Sequence, residues 1–178
     1  MKFAASVFAF AAAANLAASL PAVARDGDAA FFQKVSGKWS GPGEIVAGKY
    51  KGTKFTCQFD GTNPQSSTGI TMDGSCRVGV FSQEMKATIQ RAGASYKGAF
   101  LDGALGKGLD ITAGNVAGNR VTFALVRKQL TGAMLAKMNG ENDMNVTISV
   151  RVDKEMVPVI GMSLKRIDAT ATGSVAQN

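Results

Sequence analysis

The chain has 178 residues, a net charge of +7 and no histidine at all. The missing imidazole excludes Ser-His and Cys-His nucleophilic catalysis, histidine-ligated zinc or copper, and the usual general base near neutrality. Two cysteines are too few for a cysteine-rich metal centre, so neither metal nor cofactor is expected.

Residues 1–24 read as a secretory signal. Lys2 gives the positive start, Phe3 to Leu20 is apolar apart from Ser6, Asn15 and Ser19, and Pro21-Ala22-Val23-Ala24 ends in the small-x-small pattern of signal peptidase. A membrane anchor is the competing reading, but the alanine-rich run is only mildly apolar and a cleavage site follows at once. No later segment approaches the roughly 18 apolar residues that span a bilayer, so no transmembrane segment is expected. The expectation is an exported protein of the bacterial periplasm. Its one domain runs from 25 to 168, and a small polar tail, 169–178, is expected to be disordered.

In the exported part, Asp28 is an N-cap candidate, and Phe31, Phe32 and Val35 follow at helical spacing. This predicts one short helix, stopped by Ser36-Gly37 and suited to plugging a barrel end. The period then changes to two. Strands are expected over Lys38 to Val46 and Tyr50 to Asp60, the second with Phe55, Cys57 and Phe59 on one face. Gly69 to Val80 follows, with Ile70, Met72, Cys76, Val78 and Val80 on one face. Next come Met85 to Arg91, Ser95 to Leu101 with Tyr96, Gly98 and Phe100 alternating, the shorter Leu109 to Thr112, and Arg120 to Val126 with Val121, Phe123 and Leu125 on one face. Arg127 to Asn142 breaks the rhythm. Leu130, Met134, Leu135 and Met138 have helical spacing, which predicts a short helix or ordered loop. Met144 to Val152 and Met156 to Ile167 complete about nine strands.

In an exported protein two cysteines are expected to pair. Cys57 and Cys76 each fall on an apolar strand face with turn residues between them, and bridging them is worth about 3 kcal/mol in the chain-entropy model. The alternative, a redox pair, calls for C-x-x-C proximity, which is absent.

Short strands separated by turn signals every 8–12 residues or so indicate an all-β sandwich or an antiparallel up-and-down barrel of about 8–9 strands. Gly37-Lys38-Trp39, at the start of the first strand, resembles the G-x-W motif of the calycin superfamily of lipocalin- and avidin-type barrels. That resemblance implies the barrel. It also implies that a basic residue on the last strand, here Arg166, packs across Trp39 and closes the bottom, a contact worth about 1–2 kcal/mol. Both residues are carried over as structural. The early G-x-W and single disulfide also resemble the bacterial metalloproteinase inhibitors, which implies an N-terminal arm, here Arg25 to Ala30, entering a protease cleft. This chain is longer than those inhibitors, and a helix follows the arm.

Glu44, Glu84, Glu141 and the aspartates sit mostly in turns, where solvation accounts for them. A carboxylate pair at a barrel mouth is the one hydrolytic route left open, and the chain is read as non-enzymatic. Lys34, Lys38, Lys49, Lys51 and Lys54 gather around the first hairpin. They either blunt an edge strand or meet an anionic surface or envelope protein near Lys49, Lys51 and Lys54. Nucleic acid is not an expected partner. The leading expectation is a small apolar or amphipathic ligand inside the barrel, with Phe55, Phe59, Tyr96, Phe100 and Phe123 as candidate lining; the alternative is that these side chains simply fill it. A barrel without a cavity above about 300 Å³ would remove the ligand reading. A protein–protein interaction module of the cell envelope, such as a protease inhibitor, is the second expectation.

Overall fold

Two periodicities build the described residues: one helix at 3.6, then ten strands at two. The computed structural model describes residues 23–101 and 108–167. All but the last two residues of the expected signal, and the expected tail 169–178, lie outside the described residues. The elements are α1 (Val23–Val35), β1 (Gly37–Ile45), β2 (Lys54–Thr62), β3 (Gly69–Val78), β4 (Phe81–Ala92), β5 (Ser95–Leu101), β6 (Leu109–Ala117), β7 (Arg120–Arg127), β8 (Leu130–Asn139), β9 (Asp143–Val152) and β10 (Glu155–Arg166). Each strand pairs antiparallel with its neighbours in sequence, and β1 pairs with β10 to close an up-and-down barrel. Closure leaves no sheet edge.

This topology sorts the connections. The hairpins β1–β2, β3–β4, β7–β8 and β9–β10 turn at one end, here the open end. The connections β2–β3, β4–β5, β6–β7 and β8–β9 turn at the other, the closed end. Helix α1 belongs to the closed end. Asn63, in the β2–β3 connection, donates to the Phe32 carbonyl at 3.0 Å, and Lys34 pairs with Glu141 of the β8–β9 turn.

The barrel has ten strands rather than eight or nine, because Leu130–Asn139 is a strand and not a helix or loop. Its inward positions are Gly132, Met134, Ala136 and Met138; Leu130, in the same phase, is exposed at the open-end tip, and Leu135 faces out. With Leu130, Met134 and Met138 in one phase of the strand and Leu135 in the other, the large apolar residues imitate helical spacing. Pairing on both sides, with β7 and β9, decides the matter, since a helix here would leave two edges bare. Other boundaries differ as well: α1 starts at Val23, so Asp28 lies inside the helix and is not its N-cap, β2 starts at Lys54 rather than Tyr50, and β4 at Phe81 rather than Met85. Strand β6 runs on to Ala117 through a register shift between Ile111 and Ala113. There Gly114 makes room instead of a bend: a Cβ on it would stand 2.5 Å from the Phe123 ring. Val80, expected on an inward face, is in the two-residue turn Gly79-Val80 and exposed. Gly79 takes φ 57°, the left-handed conformation that such a tight hairpin needs.

At the closed end, α1 is held by its last carbonyls. The Trp39 indole N–H donates to the Val35 carbonyl at 2.8 Å. Arg166 donates to the carbonyls of Lys34, Ser36 and Glu141, and its guanidinium lies 4.4 Å over the Trp39 ring. Helix C-terminal carbonyls lack intrahelical partners and attract cations, so this pair supplies both needs. Gly37 has to be glycine in this arrangement: its φ is 101°, and a Cβ would sit 2.7 Å from Arg166 Nη1.

Cys57 and Cys76 face each other across β2 and β3 and form a disulfide with Cα atoms 4.0 Å apart. Replacing both by serine is expected to lower unfolding stability by about 3 kcal/mol. A urea titration reads this as a lower midpoint, which reducing the parent protein should reproduce.

Candidate ligand-binding cavity

An alternating strand points every second side chain into the barrel, and a ring of ten strands is wide enough to leave space between them. The space here is a cavity of about 240 Å³. Its floor is α1, through Phe31, Phe32 and Val35. Its walls are overwhelmingly apolar, with Gln83 the one uncharged polar side chain on them and no carboxylate among the described residues. Val78 and Gln83 both line the cavity and are exposed, so the mouth is at the open end.

Of the residues singled out in the sequence, Phe55, Phe59, Phe100 and Phe123 are brought together on this lining. Tyr96 is a correction. It does not line the cavity but is buried beneath it, with its ring 5.2 Å from Phe32 and 6.3 Å from Phe123. Its hydroxyl donates to Asp28 on α1 at 2.7 Å, and Asp28 is also ion-paired with Arg91. A phenol that anchors a helix is not available to a ligand.

The abundance of methionine in the sequence fits either irregular core packing or an adaptable cavity wall, and five of them stand on the wall. Met72, Met85, Met134, Met144 and Met162 all line the cavity, and the sulfurs of Met85 and Met162 lie 3.2 and 3.9 Å from those of the disulfide. Methionine has three flexible bonds and a polarizable sulfur, so such a wall adjusts to its contents. The signal was present in the alternation of β9 and β10, but methionine fills ordinary cores equally well.

Burial pushes the Tyr96 phenol up to about 12, and the hydrogen bond it donates to Asp28 acts in the same direction. The sign follows. With the unfolded value at 10.0 and the folded value raised, this phenol's stabilising contribution is full below pH 10 and is lost as pH rises toward about 12. Urea midpoints measured across that window should fall, and the slope should flatten in Tyr96→Phe.

The five lysines near the first hairpin are not one cluster. The hairpin runs the length of the barrel, so Lys34 and Lys38 lie at the closed end and Lys49, Lys51 and Lys54 at the open end. A second hollow of about 380 Å³ lies between α1 and the turns of the closed end. It is larger but half polar, and its charged residues, Lys34 and Glu141, already neutralise each other. Among the described residues no three His, Cys, Asp or Glu side chains gather as a metal site requires. No family model matches this chain, and no curated protein matches it in sequence.

Proposed function

We propose that this is an exported, non-enzymatic barrel that takes the apolar part of a small amphipathic molecule into its interior from the open end. The observation that carries the reading is the cavity itself: apolar, floored by α1, walled by phenylalanine and methionine, and open at Val78 and Gln83. At about 240 Å³ it falls short of the roughly 300 Å³ set above as the bound below which a ligand held inside the barrel is ruled out. The enclosed-ligand version is therefore withdrawn. An apolar void of about 150 Å³ is enough to bind benzene, so one ring system or one alkyl chain fits, with its polar head left at the mouth. The proposal includes export through cleavage after Ala24, which leaves α1 from Arg25 onward.

The protease-inhibitor reading has less support. Arg25 to Ala30 is part of helix α1, and Asp28 is fixed by Tyr96 and Arg91 rather than free to extend into a cleft. A neutral naphthyl amine, fluorescent only in apolar surroundings, tests the cavity reading. Saturable one-to-one enhancement that a medium-chain fatty acid displaces is the expected result; absence of saturable binding would count against it.

A further inference from the structure

Exposed apolar side chains are not spread evenly over this barrel. Among the described residues eleven large ones are exposed, and all but Leu135 and Ile167 lie at the open end. They stand mostly at hairpin tips: Tyr50 on β1–β2, Val80 and Phe81 on β3–β4, Leu130 on β7–β8, Val152 and Met156 on β9–β10. Val80 is 89% and Phe81 78% exposed, as far into solvent as a folded side chain reaches.

The same hairpins carry exposed cations. Lys49, Lys51 and Lys54 lie on the first, Arg77 beside the second, Lys128 on the third, and Arg151 and Lys154 on the last. Against them, at the same end, stand Glu44, Glu84, Asp110, Asp153 and Glu155, so the described cations are in excess. The ion pairs shown elsewhere, Lys34–Glu141, Arg91–Asp28, Lys165–Asp143 and Lys86–Asp73, use none of these seven cations. Lys128 even holds φ 55° at the first position of its turn, where glycine would be unstrained.

We infer that the open rim docks on the surface of an anionic lipid bilayer, with the hairpin tips in the headgroup layer. Cations around a ring attract the negative surface potential, and isolated apolar and aromatic tips enter the boundary between headgroups and acyl chains. A protein partner fits less well, because protein interfaces are depleted in lysine and need one close-packed apolar centre. Here the apolar tips are separate and lysines stand between them, which suits a fluid surface. Docking in this orientation places the cavity mouth against the membrane, so an amphipathic molecule passes between bilayer and barrel without crossing water. This last step rests on the cavity reading above; docking itself does not.

Flotation of the full chain with vesicles tests it. Vesicles of phosphatidylcholine with one third phosphatidylglycerol should bind the protein at about 0.05 M salt and release it near 0.5 M, where screening is short-ranged. Phosphatidylcholine alone should bind at least about tenfold less. The triple variant K49E/K51E/K54E and the double variant V80S/F81S should each lose about tenfold or more. K38E/K97E, which alters exposed lysines away from the rim, should bind like the parent. All are surface changes, and an unaltered melting curve confirms folding. No binding of anionic vesicles by the parent, equal losses in K38E/K97E, or capture of a soluble protein through the rim without vesicle binding would overturn the inference. Loss of naphthyl-probe uptake with docking intact would instead remove only the cavity reading.

Discussion

Replacing Ala87 with phenylalanine is expected to abolish uptake of an apolar probe while leaving the barrel folded. Ala87 points inward from β4, is buried, and lines the cavity. A phenyl ring there takes up a large part of about 240 Å³. Overpacking costs typically about 1–3 kcal/mol, which a domain with about 5–15 kcal/mol of stability survives. The expected loss in probe affinity is at least about tenfold, equivalent to about 1.4 kcal/mol, with far-UV circular dichroism and cooperative melting retained. Ala87→Leu should give a smaller loss in the same direction. If both variants bind the probe like the parent, the probe binds elsewhere and the cavity is not the site.

The second large effect is at the closed end. Trp39→Ala is expected to cost about 3–5 kcal/mol of unfolding stability. Trp39 is fully buried, and its loss removes three things together: a large packed ring, the platform under Arg166, and the donor to the Val35 carbonyl. Trp39→Phe keeps much of the ring and drops the N–H, so it should cost less, near the 1–3 kcal/mol or so of an unsatisfied buried acceptor. Because α1 is the cavity floor, Trp39→Ala should also weaken probe binding at temperatures where the barrel remains folded. Denaturant titration of the two variants gives the comparison. A cost below about 1 kcal/mol for Trp39→Ala would contradict the view that this residue and Arg166 anchor the helix.

What was legible in the sequence depended on how local the determining physics was. Alternation in Val121, Phe123 and Leu125, or in Met144, Val146 and Ile148, names a strand directly, because the buried side chains are large and the exposed ones polar. β8 was illegible for the opposite reason. Gly132 and Ala136 dilute the two methionines on its inward face while Leu135 faces out, and only pairing with β7 and β9 makes it a strand. The four cavity phenylalanines could be named from alternation, but Tyr96, equally inward in phase, is taken by Asp28 from a helix 68 residues away in sequence. The charge pattern was the least legible feature. Lysines adjacent in sequence are parted by the length of a hairpin, while cations from four hairpins, distant in sequence, are gathered at one rim by the up-and-down topology.

The central claim, that the barrel interior holds part of an apolar molecule, is tested most directly by native mass spectrometry of the full chain exported by bacterial cells. The account predicts a mass excess corresponding to one small amphipathic molecule per chain, released by organic solvent and absent from the Ala87→Phe variant. The bare mass alone from the parent protein, unchanged after incubation with medium-chain fatty acids, would contradict it.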